Sequence, residues 1–383
     1  MRFRSCWLAI GAGVLGLAAA SINAAPIGYH VQSVVVSELG TLGGPDSMAF
    51  DVNNNGDVVG KSRLATLERR GFIWRNGVMS ALPMPTNAID MFPFGINDNG
   101  EVVGEYGADF CFECDTPFYW SESTGLVTMS ISIHPGEVYD SHYVGQAEAI
   151  NNSGVIAGHI EPEFLYTLFP DLPCYREVVV KWQNGFAMPQ VFDCPALLDG
   201  DIRASDINIK GWIVGSTGGS AVVWKNGVKS FIPKPFAASD VGGFALNDKG
   251  VVAGAGTLSG QSRAMWWDGV SAASQWIGTL STGNWSYAND INEQNFVVGV
   301  GDKLVGNLNG LARRDRAFIW HADLGLYTLP VPAGMPMLTT DCEAVALTNR
   351  SAGSGNIMVV GNCGGRAVRW NLIVLQSLPP GGL

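Results

Sequence analysis

The side chains that could do chemistry are scattered rather than gathered. Five histidines, His30, His134, His142, His159 and His321, show no metal-ligand spacing. There is neither a Gly-x-Ser-x-Gly elbow nor a His-Glu-x-x-His helix. Acidic pairs come nearest to a catalytic motif: Asp199 with Asp201, Glu161 with Glu163, and Glu105 with Asp109, all in segments that read as inserted loops or linkers. Two carboxyls about 5–10 Å apart can serve a glycosidic bond as acid and base. Acids close together on a solvated loop are more often plain surface, so no catalytic residue is assigned.

Three other groups could bind rather than react. Asp51-x-Asn53-x-Asn55-Gly56 puts oxygen-bearing side chains at the first, third and fifth positions of a calcium-type loop, with Gly at the sixth. The twelfth position, where a bidentate Glu belongs, is Ser62. A tight turn explains the same residues without a metal and is the favoured reading, which leaves calcium as the one cofactor to test. Trp276, Trp285 and Tyr287 flank the linker 277–284. They form the candidate ligand platform, since an aromatic face offers a sugar ring apolar area at little entropic cost; packing is the bland alternative. Cys111-Phe112-Glu113-Cys114 could be a redox pair, but its acidic neighbours would raise a thiol pKa, and a small disulfide clamp is favoured.

The elements that must position these groups are repeats. Ala288–Asn292, then Val297-Val298-Gly299, then Arg316–Trp320 define a motif, A-x-x-I-N … V-V-G … R-A-F-I-W, that occurs seven times. Its Asn falls at Asn53, Asn97, Asn151, Asn208, Asn247 and Asn292, with Thr348 in the seventh copy. Gly60, Gly104, Gly158, Gly215, Gly254 and Gly299 each follow their Asn by seven residues, whereas Gly361 closes a longer turn. Every copy ends its third segment on Trp: Trp74, Trp120, Trp182, Trp224, Trp267, Trp320 and Trp370. Length varies between the Gly and the Trp, so insertions map to one loop per copy, longest at 105–116, 159–176 and 300–316.

Each copy reads as four short strands. Asn-x-x-Gly makes the first turn, because the Asn side chain can accept from backbone amides two residues on and Gly tolerates the left-handed conformation. Asn76-Gly77 signals a two-residue hairpin. Long 3.6-residue periodicity is missing from the chain beyond its leader, so helices should be scarce. The expected fold is all-β: a seven-bladed β-propeller of four-stranded blades, closed by pairing of the chain ends. Its blades fall near 39–82, 83–130, 131–190, 191–232, 233–276, 277–329 and 330–378. Both 29–37 and 372–378 look like fourth strands, and one of them should complete a blade.

Leu39-Gly40-Thr41-Leu42-Gly43-Gly44, the Ala-x-x-Ile-Asn core and Arg-Ala-Phe-Ile-Trp resemble the HAF-type extracellular repeat proteins of bacteria, over roughly residues 29–378. The resemblance implies a secreted, propeller-like protein and carries no established catalytic residues.

The first residues read as a secretory leader. Arg2 and Arg4 precede an apolar run, 6–20, and a small-residue zone, with cleavage expected after Ala24; an uncleaved membrane anchor is the alternative. The run falls short of the ~20 residues that span a bilayer. A single domain, 25–383, would remain, with 21 basic against 34 acidic residues, or −13. That charge argues against nucleic acid or anionic lipid as partner. Six cysteines remain in an oxidising compartment, allowing fifteen pairings. Cys174 with Cys194 and Cys342 with Cys363 each flank a hairpin, which leaves Cys111 with Cys114. The expectation is a monomeric, secreted, non-catalytic binding or scaffold module for extracellular polysaccharide, envelope material or protein. The alternative is a carbohydrate-active hydrolase or lyase, with carboxylates or a His from several blades converging on the channel mouth.

Overall fold

The computed structural model describes residues 28–86, 88–108, 115–132, 144–161, 177–185, 187–193, 202–307 and 310–376. Among them every regular element is a strand, and no helix is long and apolar enough to cross a membrane. The strands form seven four-stranded antiparallel sheets, and the chain is a seven-bladed β-propeller. Blades 1 to 6 occupy 43–81, 88–128, 144–193, 202–231, 238–278 and 286–328, each with its strands in chain order. The outer strands of blades 3 and 5, Gln190–Asp193 and Gln275–Gly278, run past the bounds expected from sequence.

Blade 7 closes the ring. Its strands Cys342–Leu347, Asn356–Cys363 and Arg366–Gln376 are joined on the outside by the N-terminal strand Tyr29–Glu38. Tyr29 stands opposite Gln376, and Val36 opposite Trp370. Leu372 to Gln376 therefore do not form a fourth strand of their own; they continue the third. Cys342 and Cys363 face each other across the first hairpin of this blade, Cα atoms 4.2 Å apart, and are bonded as expected. Cys111, Cys114, Cys174 and Cys194, like the leader, lie outside the described residues.

Two features explain why the repeat has its residues. Each first strand carries a β-bulge three residues before the motif Asn: Phe50, Phe94, Glu148, Ser205, Phe244, Asn289 and Val345 are skipped in the pairing. The bulge pushes the carbonyl two residues earlier toward the next strand. A Cβ on Gly60, Gly104, Gly158, Gly215, Gly254, Gly299 or Gly361 would overlap that carbonyl oxygen, so only glycine fits. The seven Trp residues share one register, each opposite the residue two before that Gly. Six of them are buried. Seven apolar clusters lie one at each blade interface, so every blade buries its faces only against its neighbours.

The segment 300–316, expected as a loop, is regular. Blade 6 extends its middle strands, Val297–Asn307 and Gly310–His321, into one tall hairpin paired out to Asn307 and Gly310. The arginines that open the third strands differ in partner. Arg69, not Arg70, reaches Asp90 of the next blade at 3.0 Å, while Arg316 donates to carbonyls of Thr340 and Met337.

Candidate functional site

The first strands surround a central channel whose two ends differ in chemistry. At one end the motif Asn residues form a girdle. Each Asn Oδ1 accepts from amides two and four residues ahead within its own turn, as Asn53 does from Asn55 and Asp57 at 3.1 and 2.9 Å. Each Asn Nδ2 donates to the carbonyl of the next blade's Asn: Asn53 to Asn97, Asn97 to Asn151, Asn151 to Asn208, Asn208 to Asn247, Asn247 to Asn292, and Asn292 to Thr348, at 2.8–3.1 Å. A second ring lies beside it. The backbone N–H of the following residue donates to the side chain of its counterpart one blade on, through Asn54, Asp98, Asn152, Ile209, Asp248, Glu293 and Asn349. Ile209 offers no acceptor, so Asn152 cannot continue the ring there. Asn349 donates back to Asn54 at 2.8 Å and carries the closure where Thr348 lacks an amide. The cavity between these residues is small, about 200 Å³.

One layer deeper, Asp51, Asp206 and Asp290 occupy one position in blades 1, 4 and 6. Each carboxylate accepts from its own strand and from the next blade, as Asp206 does from Ile207 and Leu246, both at 2.7 Å. Asp51 is matched by Val52 and Ile96, and Asp290 by Ile291 and Leu347. Burial, then the charge of Asp290, pushes Asp206 up to about 7. Burial alone takes Asp290 to about 6, and Asp51 also lies well above the usual carboxylate range.

Away from the girdle, the first strands carry the bulge residues and those two positions earlier. On blades 1 and 2 this surface is aromatic: Phe50, Phe92 and Phe94 pack with centroids 5.9–6.2 Å apart. Lys61 sits with Nζ 3.7 Å from the Phe92 centroid. Across the channel, Tyr287 meets Phe244 at 6.5 Å and Trp285 at 5.8 Å, and its hydroxyl shares a hydrogen bond with Ser262.

Between them, blades 2 to 4 bring together Glu105, Asp115, Gln146, Glu148, His159, Glu177 and Arg203. Glu177 holds Arg203 through both oxygens at 2.8 and 3.0 Å. His159 lies between two acids, Nδ1 3.5 Å from Glu148 and Nε2 4.0 Å from Glu177. Burial, then Arg203, lowers His159 to about 4, so the imidazole is neutral and these contacts are not ion pairs. Glu148 is raised to about 7 by burial, which Arg203 opposes and Glu177 reinforces. Glu105 is raised to about 8, first by burial and then by Asp115, Glu148 and Asp90. Two buried atoms here have no hydrogen-bond partner: Glu105 Oε2 and His159 Nδ1. Such orphans are rare in folded chains.

The residues read from sequence fare unequally. Glu105 belongs to this cluster, but through Asp115, Gln146 and Glu148; Asp109, Glu163, Asp199 and Asp201 fall outside the described residues. Trp285 and Tyr287 are neighbours, whereas Trp276 packs into the interface of blades 4 and 5 and donates to Phe236 O at 3.2 Å. Asp51, Asn53 and Asn55 are spent on blade-to-blade hydrogen bonds, Asn55 donating to Asp98 O at 2.7 Å. Among the described residues no set of three His, Cys, Asp or Glu could hold a metal ion. No local spacing in the sequence joins Glu148, His159, Glu177 and Arg203. The available signal was Glu148, an acid at the position where copies one, two and five carry Phe.

No protein-family model matches the chain, and no curated protein matches its sequence. Solved structures match in architecture. YCF48 bound to a D1 peptide gives a TM-score of 0.47 at 9% identity over 89% of this chain and 96% of that one. A putative TolB from Agrobacterium tumefaciens gives 0.42 at 10% identity, over 76% and 94%. A gluconolactonase from Xanthomonas campestris gives 0.38 at 10%, over 91% and 98%. At these identities the likeness is one of fold alone.

Proposed function

We propose that this propeller is a secreted binding module for an extracellular polysaccharide, taken up at the channel end opposite the Asn girdle. The observation that carries this reading is the lining of that end: stacked Phe50, Phe92 and Phe94 on one wall, Phe244, Trp285 and Tyr287 on the other, and carboxylates between. Ring faces match the apolar faces of sugars, and acids match their hydroxyls. The bonded Cys342–Cys363 pair, the leader-like residues 1–24 and the resemblance to extracellular repeat proteins support a place outside the cytoplasm.

A second reading, a hydrolase or lyase at the same place, is favoured by one observation. Glu105 and Glu148 both titrate near neutral pH, which suits proton transfer. A glycan-array screen of the oxidised chain, 25–383, with and without calcium, tests both. Hits that weaken in Phe92→Ala support binding at this end, and shortened or unsaturated products from a bound glycan would favour the enzyme. An array without hits removes the polysaccharide reading.

A further inference from the structure

We infer that the channel wall where blades 2 and 3 meet is a subsite for a primary ammonium carried on a sugar ring, a hexosamine unit, held by Glu148 and Glu105 beside the Phe94 ring. This rests on the polysaccharide reading and narrows it to one class of sugar.

The first support is the pair of orphan atoms. Glu105 is 6% exposed and His159 2%, and each keeps a buried polar atom without a partner. Both interact with the same carboxylate, that of Glu148. His159 Nδ1 points at Glu148 from 3.5 Å, and Glu105 feels the charge of Glu148 across the blade interface. Glu148 itself keeps 24% of its side chain exposed, which gives a ligand in the channel access to it.

The second support is an imbalance of charge. Around Glu105 and Glu148 stand Asp90 and Asp115 on blade 2, Lys61 and Arg69 on blade 1, His159 and Glu177 on blade 3, and Arg203 on blade 4. Arg69 is taken by Asp90 at 3.0 Å, and Arg203 by Glu177. Lys61 lies 3.9 Å from Asp90. Among the described residues no Lys or Arg comes within ion-pair distance of Glu105, Asp115 or Glu148. A cation brought by a ligand would meet carboxyls that no Lys or Arg side chain has claimed.

The third support is the apolar neighbour. Phe94 and Glu148 are bulge residues of adjacent blades, and the backbone of Glu148 abuts Gly95, whose absent Cβ would lie 3.3 Å from the Glu148 carbonyl. Lys61 over Phe92 already illustrates an ammonium on this aromatic wall. A free amine on a flexible chain would use the carboxylates only, whereas an amino sugar uses both carboxylate and ring. The proton balance supplies a signature. Burial favours the protonated forms of Glu105 and Glu148 near neutral pH, and a bound cation favours their charged forms, so binding releases protons.

The test is calorimetric titration of the mature, oxidised chain near neutral pH, in two buffers of different ionisation heat. The probes are a glucosamine trimer, its N-acetylated form and trilysine. The glucosamine trimer should bind about tenfold or more tightly than the acetylated form, with proton release. Glu148→Gln should erase both the preference and the proton release while keeping the native circular dichroism. Glu122→Gln, in the exposed turn between the third and fourth strands of blade 2 at the girdle end, should change neither. Equal binding of the two sugars overturns the ammonium subsite and leaves polysaccharide binding standing. Trilysine binding as tight as glucosamine overturns the sugar requirement. Failure with both sugars, when other glycans bind, overturns the inference alone; failure with every glycan overturns the proposed function as well.

Discussion

The two ends of one channel are built from the same strands and obey opposite rules. At the girdle end, one residue type recurs in six of seven blades, and each side chain makes at least three hydrogen bonds, including one to the next blade. At the other end the equivalent positions hold Phe, Glu, Ser, Asn and Val, and two buried atoms lack partners. Where the copies agree, the residues hold the ring together. Where they differ, they line a surface that nothing in the fold requires. Two acids make the contrast sharp. Burial works against Asp302, yet backbone bonds from Trp285 and Asn284 and the Arg313 ion pair hold it below its usual range. Glu105, in a comparable setting, is left to rise to about 8.

This division can be broken by substitution, and the largest effect belongs to the repeat. Gly215→Ala forces a Cβ onto the Arg203 carbonyl, and a loss of about 3 kcal/mol or more is expected by urea denaturation. Full stability in this variant would mean that the bulge is not a fixed part of the blade. Asn151→Ala removes the acceptor for Ser153 and Val155 and the donor to Asn208, with an expected loss of about 2–3 kcal/mol and unchanged ligand affinity. A drop in affinity would erase the distinction between the two ends.

The pH response comes next. Glu105 and Glu148 have folded pKa values of about 8 and 7, above the ordinary 4.5, and Asp206 and Asp290 lie at about 7 and 6, above 3.8. A raised pKa means the folded state favours the protonated form. Stability from these groups is complete below the ordinary values and is lost as pH climbs through the folded ones. The melting temperature should therefore fall by several degrees between about pH 5 and pH 8, and less steeply in Glu105→Gln. A flat profile would place these carboxyls in ordinary solvent. The smallest effect is expected at Glu148→Gln, within about 0.5 kcal/mol of the parent near neutral pH, because the carboxyl is half neutral there already. A large loss would move Glu148 to the structural side of the comparison.

Sequence reading recovered what the repeat repeats: seven copies, four strands in each, the Asn turn, the Gly, the Trp and the Cys342–Cys363 bond. It missed what lies across blades. The bulge is invisible because its residue varies from Phe50 to Val345 while its cause, the Gly, sits on another strand. The Glu148–His159–Glu177–Arg203 set joins two blades and three strands, so no local spacing announces it. Trp276 and Trp285 are nearly adjacent in sequence but occupy the outer edge of one blade and the approach to the inner strand of the next, which separates them. The hairpin at 300–316 reads as a loop because Gly306, Gly310 and four charged residues from Arg313 to Arg316 mask its alternation.

The strand Tyr29–Glu38 also sets a timetable. It is made before the other six blades, yet its partner, Arg366–Gln376, follows all of them, so the seventh blade can form only after those six have been made. Until then the first blade lacks its neighbour, and an unpaired edge travels with the growing chain. Closure is therefore a single late event, and the Cys342–Cys363 bond forms within the blade that closes.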